Sequence, residues 1–266
     1  RNVPVIPDAD YLKALETAVM HSIPKPTALV LNYPNNPTAL CADLDFYGQV
    51  VEFCRHHGIY ILSDLAYAEL YFEGNPPPSI LSIPGARDIA VEFTSMSKTY
   101  SMPGWRIGFA AGNKHLVASL ARIKSYLDYG AFTPIQVAAT AALNGPQDCV
   151  DDIRTLYRER RDVLIESMAS AGWEIPSPTA TMFAWAPLPQ AYAHLGSVEF
   201  SKLLLSEAKM AVSPGIAFGE HGDGHVRISL VENKQRIRQA ARNAKIFLSS
   251  SSNTIETLER QRAVAS

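Results

Sequence analysis

The chain has 266 residues, 47% of them hydrophobic and 19% charged, with a formal net charge of -2 at pH 7. That length allows one or two domains with a sizeable core, and the near-neutral balance without runs of like charge argues against nucleic acid as a partner. No apolar run approaches the length of a membrane span, and Cys41, Cys54 and Cys149, scattered and without a CxxC pair, suit a reducing, cytoplasmic location.

Apolar Leu12, Leu15 and Val19 keep helical spacing after Asp10. A short apolar run, Ala28 to Leu31, ends in "NYPNNPTAL", a loop rich in Asn and Pro. Asp43 reads as an N-cap, Leu44, Tyr47, Val50, Val51 and Cys54 as one helical face, and Gly58 as the residue that ends the helix. "IYILSD", "IAVEFTS" from Ile89 and "WRIGFAAG" read as buried strands, with a helix from Asn113 to about Asp128 after them. Past Pro146 the pattern changes. A long helix is expected from about Gln147 to Ser170, stopping at Gly172. Then come "TMFAWAPL", a helix capped by Ser197, "KMAVSPG", "HVRISLV" and a last helix from Glu232 to Leu248.

Strands alternating with helices imply an α/β fold with a mostly parallel sheet flanked by helices. The reading places a large domain over residues 1–146, a smaller α+β domain over 147–248 and a polar, frayed tail over 249–266.

Chemistry-bearing residues fall where the strands end. Asn36 sits in the loop after "ALVLN", Asp64 closes "IYILSD" with Tyr67 three residues on, and Lys98 and Arg106 follow "IAVEFTS". In open α/β sheets ligands bind beyond the carboxyl ends of the strands, so these loops are expected to converge. An amine, a carboxylate, a phenol, an amide and a guanidinium together suit pyridoxal 5′-phosphate. Lys98 would meet the aldehyde and Asp64 the pyridine nitrogen. Tyr67 and Asn36 would donate to the phenolic oxygen, and Arg106 with Ser95 and Ser97 would hold the phosphate. Taken singly, each has a plainer use: a loop lysine is ordinarily solvated, and Asp64 could cap a helix.

"NYPNNPT", "SDLAY" and "SMSKTYSMPGWRIG", in this order, resemble the fold type I aminotransferases of class I/II. The resemblance implies Lys98 as the Schiff-base lysine, Asp64 as the pyridinium partner, Asn36 and Tyr67 at the phenolic oxygen, and Ser95 and Arg106 at phosphate. "GHVRISLVEN" is similar to the segment whose arginine takes the substrate α-carboxylate, which implies that role for Arg227; a structural ion pair is the alternative. Where most members have glycine after "NNPT", this chain has Ala39, which would tighten the turn mildly. "RIKSYLDYGAFTPIQVAATAAL" and "VSPGIAFGEHGDGHVRISLVEN" look closest to bacterial alanine (glutamate–pyruvate) transaminases, with aspartate, LL-diaminopimelate and methionine transaminases further off.

The implied activity is transfer of an α-amino group between an amino acid and a 2-oxo acid, in a homodimer. The implied family pattern also includes an N-terminal phosphate loop and a ring-stacking aromatic that precede "RNVPVIP", so the chain is expected to be a fragment whose sheet lacks strands. Two other readings share these residues: a PLP-dependent β-lyase or ACC-synthase-type enzyme, and the PLP-binding domain of a transcriptional regulator. "EHGDGH" (His221, Asp223, His225) and "CRHHG" (Cys54, His56, His57) lack metal-ligand spacing and read as surface. "LYRERRDVL" reads as a solvated helix face, and Trp105 and Trp173 as packing residues.

Overall fold

Helix α2 (Leu44–His57) illustrates how local signals set the first unit. The Asp43 carboxylate accepts a hydrogen bond from Phe46 N, and Gly58, at φ 66° and ψ 36°, ends the helix in the left-handed region. Phe46, Tyr47, Val50, Val51 and Cys54 fall on its buried face. They pack with Tyr11, Leu15 and Val19 of α1 (Ala9–Met20), Leu31 of β1 (Ala28–Asn32) and Ile61 of β2 (Tyr60–Asp64). The computed structural model describes residues 2–3 and 9–264, and the side chains of 2–3 and 10–249.

Two compact units are present: Arg1–Thr155 with Thr179–Thr181, and Leu156–Pro178 with Met182–Ser266. In the first, β1, β2 and β3 (Ala90–Ser95) are parallel neighbours, and β4 (Gly108–Gly112) runs antiparallel beside β3. The register pairs Asn32 with Asp64 and Asp64 with Phe93, so the strands carrying the predicted site residues end side by side. The antiparallel fourth strand follows from its connection. Between β3 and β4 stand only the short helix α3 (Met96–Thr99) and one three-ten turn, Pro103–Trp105, too little for a crossover. Gly108 and Gly112 lie where a Cβ would strike the carbonyls of Thr94 and Ala90, so β4 can approach β3 only without side chains there.

Helices α4 (Lys114–Leu127) and α5 (Thr133–Asn144) follow. Asn113 caps α4 by accepting from His115 N and Leu116 N. Helix α5 is an element that sequence analysis leaves out: its start has a Pro but no capping side chain. Helix α6 (Asp148–Ala169) begins in the first unit and ends in the second.

The second unit is built on β5 (Phe183–Pro187), β6 (Ser213–Pro214) and β7 (His225–Ser229), antiparallel in the order β5-β7-β6. Alternation sends Ala184, Ala186, Val226 and Ile228 into a core shared with Trp173, with Phe200 and Leu204 of α7 (Gly196–Glu207), and with Ile237 and Ala241 of α8 (Lys234–Val264). The opposite face carries Phe183, Trp185, His225 and Arg227. No helix among the described residues is long and apolar enough to cross a membrane.

Several expectations need correction. The strand read from "WRIGFAAG" starts at Gly108 rather than Trp105, because Arg106 turns into the left-handed region at φ 51°. Trp105 is 47% exposed and is not a packing residue, whereas Trp173 is in the core. Ser197 does not cap α7 from the N-cap position. Instead the Asp223 carboxylate, 26 residues away, accepts from both Ser197 N (3.0 Å) and Ser197 Oγ (2.7 Å). Those bonds hold the Asp223 carboxyl below its ordinary pKa. Nor is "LYRERRDVL" wholly solvated. Arg161 is buried and donates to Pro178 O, and Arg160 donates to Leu230 O and Val231 O. Cys54 is a core residue, and burial raises its thiol pKa. The last helix passes Leu248, where sequence analysis ends it, since neither Gly nor Pro interrupts the chain before Val264.

Candidate active site

The loop after β1 is shaped by two asparagines that sequence analysis did not single out. Asn32 Oδ1 accepts from Asn36 N at 2.8 Å, while Asn32 Nδ2 donates to Asp64 O at 3.2 Å, tying the ends of β1 and β2 together. Asn35, itself buried, donates to Asn32 O and accepts from Thr38 N and Thr38 Oγ1. The loop is thereby closed on itself and leaves the Asn36 side chain exposed beyond the strand. Ala39 N donates to Asn35 O at 2.8 Å, and Ala39 sits at φ 61°. The glycine that the resemblance leads one to expect here thus has a backbone cause: this is a left-handed position, and an alanine occupies it.

At the end of β2, Asp64 Oδ1 accepts from Ala66 N at 3.1 Å, an Asx turn that swings the chain away from the sheet. Asp64 is exposed, and Tyr67, three residues on, is 9% exposed. At the end of β3, Ser95 caps α3 by accepting from Ser97 N at 3.2 Å. That bond uses a lone pair and leaves the Ser95 hydroxyl proton available to an acceptor. Ser97 is buried, and Lys98, half-buried, places Nζ 6.0 Å from the centroid of the Tyr67 ring. Ser101 and Arg106 both hold φ 51°, and Arg106 Nη1 donates to Pro103 O at 3.0 Å. Two non-glycine residues in that region within six positions mark a loop whose shape is imposed by its surroundings, as at binding sites.

Asn36, Asp64, Tyr67, Ser95, Ser97, Lys98 and Arg106 therefore all belong to the first unit, at or just beyond the carboxyl ends of adjacent strands. Behind them, Glu92 on β3 is buried and accepts from Ser79 Oγ (2.6 Å), Ile80 N (3.0 Å) and Ser63 Oγ (3.4 Å). This carboxylate, also missed in the sequence, fastens the chain around Ile80 to the sheet one residue before Asp64 and three before Ser95. A cleft of about 480 Å³, lined among others by Cys41, Asp43, Tyr71 and Glu73, contains none of these site residues.

Arg227 lies on the sheet of the second unit, in the central strand, opposite Trp185 and Ser213. Its Cζ stands 4.7 Å from the Phe218 ring centroid and 5.1 Å from that of Phe183, and Nη2 donates to Ser213 Oγ at 3.4 Å. His225, on the same face, stacks on Trp185 at 5.0 Å and 5°, and burial lowers its pKa. It is half-buried rather than surface, and among the described residues no group of three or more His, Cys, Asp or Glu is placed to hold a metal.

A family model described as aminotransferase class I and II matches residues 8–243. The chain belongs to that family. It is 61% identical over 258 residues to a putative aminotransferase, AatC, of Rhizobium meliloti (strain 1021), covering 97% of this chain and 64% of that protein. To the glutamate-pyruvate aminotransferase AlaC of Escherichia coli (strain K12) it is 53% identical over 245 residues, covering 92% of this chain and 60% of the other. The chain thus spans less than two thirds of the length of either relative. Among solved structures, apo BacF from Bacillus subtilis superposes with a TM-score of 0.86 at 32% identity, covering 92% of this chain and 65% of BacF. The fold is that of these aminotransferases: a mixed, mostly parallel sheet flanked by helices.

Proposed function

We propose that the protein is a pyridoxal 5′-phosphate-dependent aminotransferase that exchanges an α-amino group between alanine or glutamate and pyruvate or 2-oxoglutarate. The observation that carries this is the grouping of Lys98, Asp64, Asn36 and Tyr67 at adjacent strand ends, with Lys98 Nζ 6.0 Å from the Tyr67 ring. The identity with a glutamate-pyruvate aminotransferase supports the choice of substrates.

The donor set fits the cofactor. An exposed carboxylate at Asp64 suits a pyridinium nitrogen, and the amide of Asn36 and phenol of Tyr67 suit a phenolate oxygen. Arg106 and the free proton of the Ser95 hydroxyl suit a phosphate. When bound, the cofactor supplies an aldehyde for the amino group and an electron-accepting ring. Asp64 would keep a proton on the ring nitrogen. Lys98 Nζ, once neutral, removes the proton from the substrate Cα, holds it, and gives it back later in the cycle, so one amine serves as base and then acid. Arg227 binds the substrate α-carboxylate through its planar fork. One amino acid leaves as its oxo acid before the second substrate enters, so ping-pong kinetics are expected. A homodimer in the cytoplasm goes with this reading, on the family resemblance.

A pairwise screen of amino donors and oxo acids tests it. Alanine with 2-oxoglutarate should give the highest kcat/KM among common pairs. A clear preference for aspartate or LL-diaminopimelate would refute the substrate assignment, and β-elimination without transamination the reaction itself.

A further inference from the structure

On β7 the side chains of His225 and Arg227 share the face turned away from the core, and Trp185 and Phe183 share it from β5. These groups form a ladder. His225 lies flat on Trp185 at 5.0 Å and 5°, and Trp185 meets Phe218 edge-on at 5.9 Å and 85°. Arg227 Cζ then stands 4.7 Å over Phe218 and 5.1 Å over Phe183. A guanidinium is weakly hydrated on its faces and carries all its donors at its rim. Rings over a face take up the part of the cation that water serves poorly and fix the plane in which the donors point. Ser213 Oγ accepts one of those donors, from Nη2 at 3.4 Å, which fixes the rotation within that plane.

We propose that Phe218, backed by Trp185, is a positioning residue that presents the rim of Arg227 to a substrate carboxylate; this rests on the carboxylate role given to Arg227 above. The rungs behind it serve the same end. Burial disfavours the charged form of His225, so the ladder adds no second positive charge two residues from Arg227. Phe218 is 37% exposed, whereas Phe183 is 3% exposed, so replacing Phe183 would also disturb packing. Phe218 is therefore the rung whose replacement separates positioning from folding.

The test compares Phe218→Leu, which keeps an apolar side chain without a π face, with Phe218→Tyr, which keeps the ring. In the holoenzyme, Phe218→Leu should raise KM for alanine and for 2-oxoglutarate alike by about five- to tenfold, the range of a partly desolvated cation–π contact. Its kcat and its affinity for pyridoxal 5′-phosphate should stay within about twofold of the parent, and Phe218→Tyr should restore KM. Trp185→Leu, which removes the edge-on support of Phe218 at the position directly across the sheet from Arg227, should shift KM in the same direction by less. Calorimetric titration with propionate and with 2-oxoglutarate reads carboxylate binding without turnover and should show the same order of variants. Equal behaviour of the Leu and Tyr variants, an unchanged KM in Phe218→Leu, or a matching fall in cofactor affinity would overturn the proposal. Absence of transamination in the parent protein would sink the assigned activity instead, and the propionate titration would still decide the role of Phe218.

Discussion

Replacing Glu92 by leucine removes a buried acceptor and leaves its donors in place. The carboxylate accepts from Ser79 Oγ, Ile80 N and Ser63 Oγ at 2.6, 3.0 and 3.4 Å, and Ile80 and Ser63 are 0% and 1% exposed. The serine hydroxyls can rotate towards other acceptors, but the Ile80 amide is fixed by the backbone. An orphaned buried amide costs roughly 1–3 kcal/mol, offset in part by relief of the charge-burial penalty, so Glu92→Leu should destabilise by about 2 kcal/mol. That is about a thirtyfold fall in the folding constant. Glutamine should do better. Its oxygen can accept from Ile80 N while its amide donates to Ser79 Oγ, which then turns to accept, so Glu92→Gln should cost no more than about 1 kcal/mol. Urea unfolding of both variants reads the difference, and hydrogen exchange at the Ile80 amide localises it. A leucine variant as stable as the glutamine variant would show that the carboxylate is a burden on the sheet rather than its anchor.

Ala39, at φ 61° and 4% exposed, should tolerate Ala39→Gly with a change within about 0.5 kcal/mol in urea. Relief of left-handed strain is offset there by a lost methyl contact and a freer unfolded chain, whereas Ala39→Val should cost about 2 kcal/mol or more. His225 has a pKa lowered by burial, so the unfolded chain takes up its proton first as pH falls. Stability should drop as pH falls below about 6.5 and be untouched by this group above it; His225→Phe, which keeps the ring on Trp185, should flatten that part of the profile, and an unchanged acid limb would count against it. Asp64→Ala should slow Cα deprotonation, followed by deuterium exchange, far more than it weakens cofactor binding; equal losses would reduce Asp64 to the turn it makes with Ala66.

Elements marked by local chemistry were legible in the sequence. Asp43 and Gly58 bound α2 because one carboxylate and one left-handed glycine suffice. Asp64, Lys98 and Asn36 stood out because reactive side chains directly after apolar strands are conspicuous. What escaped depends on partners distant in the chain. The acceptor at the start of α7 comes from Asp223, 26 residues beyond Ser197, and no capping pattern near Ser197 announces it. The buried arginine Arg161 pairs with the neighbouring Asp162, and its Nη1 reaches Pro178 O, a carbonyl in a separate segment. The reversal of β4 hangs on the left-handed turns at Ser101 and Arg106, which residue type does not foretell. Nor did spacing reveal the Phe218 and Phe183 rings beside Arg227, since they come from different segments of the second unit.

The central claim is that Lys98 is the amine that engages the cofactor. Incubation of the protein with pyridoxal 5′-phosphate, reduction with borohydride and peptide mapping test it directly. A stable pyridoxyl label should appear on the peptide that contains Lys98 and should be lost in Lys98→Ala. A label on Lys114, Lys124 or on no lysine would contradict the account.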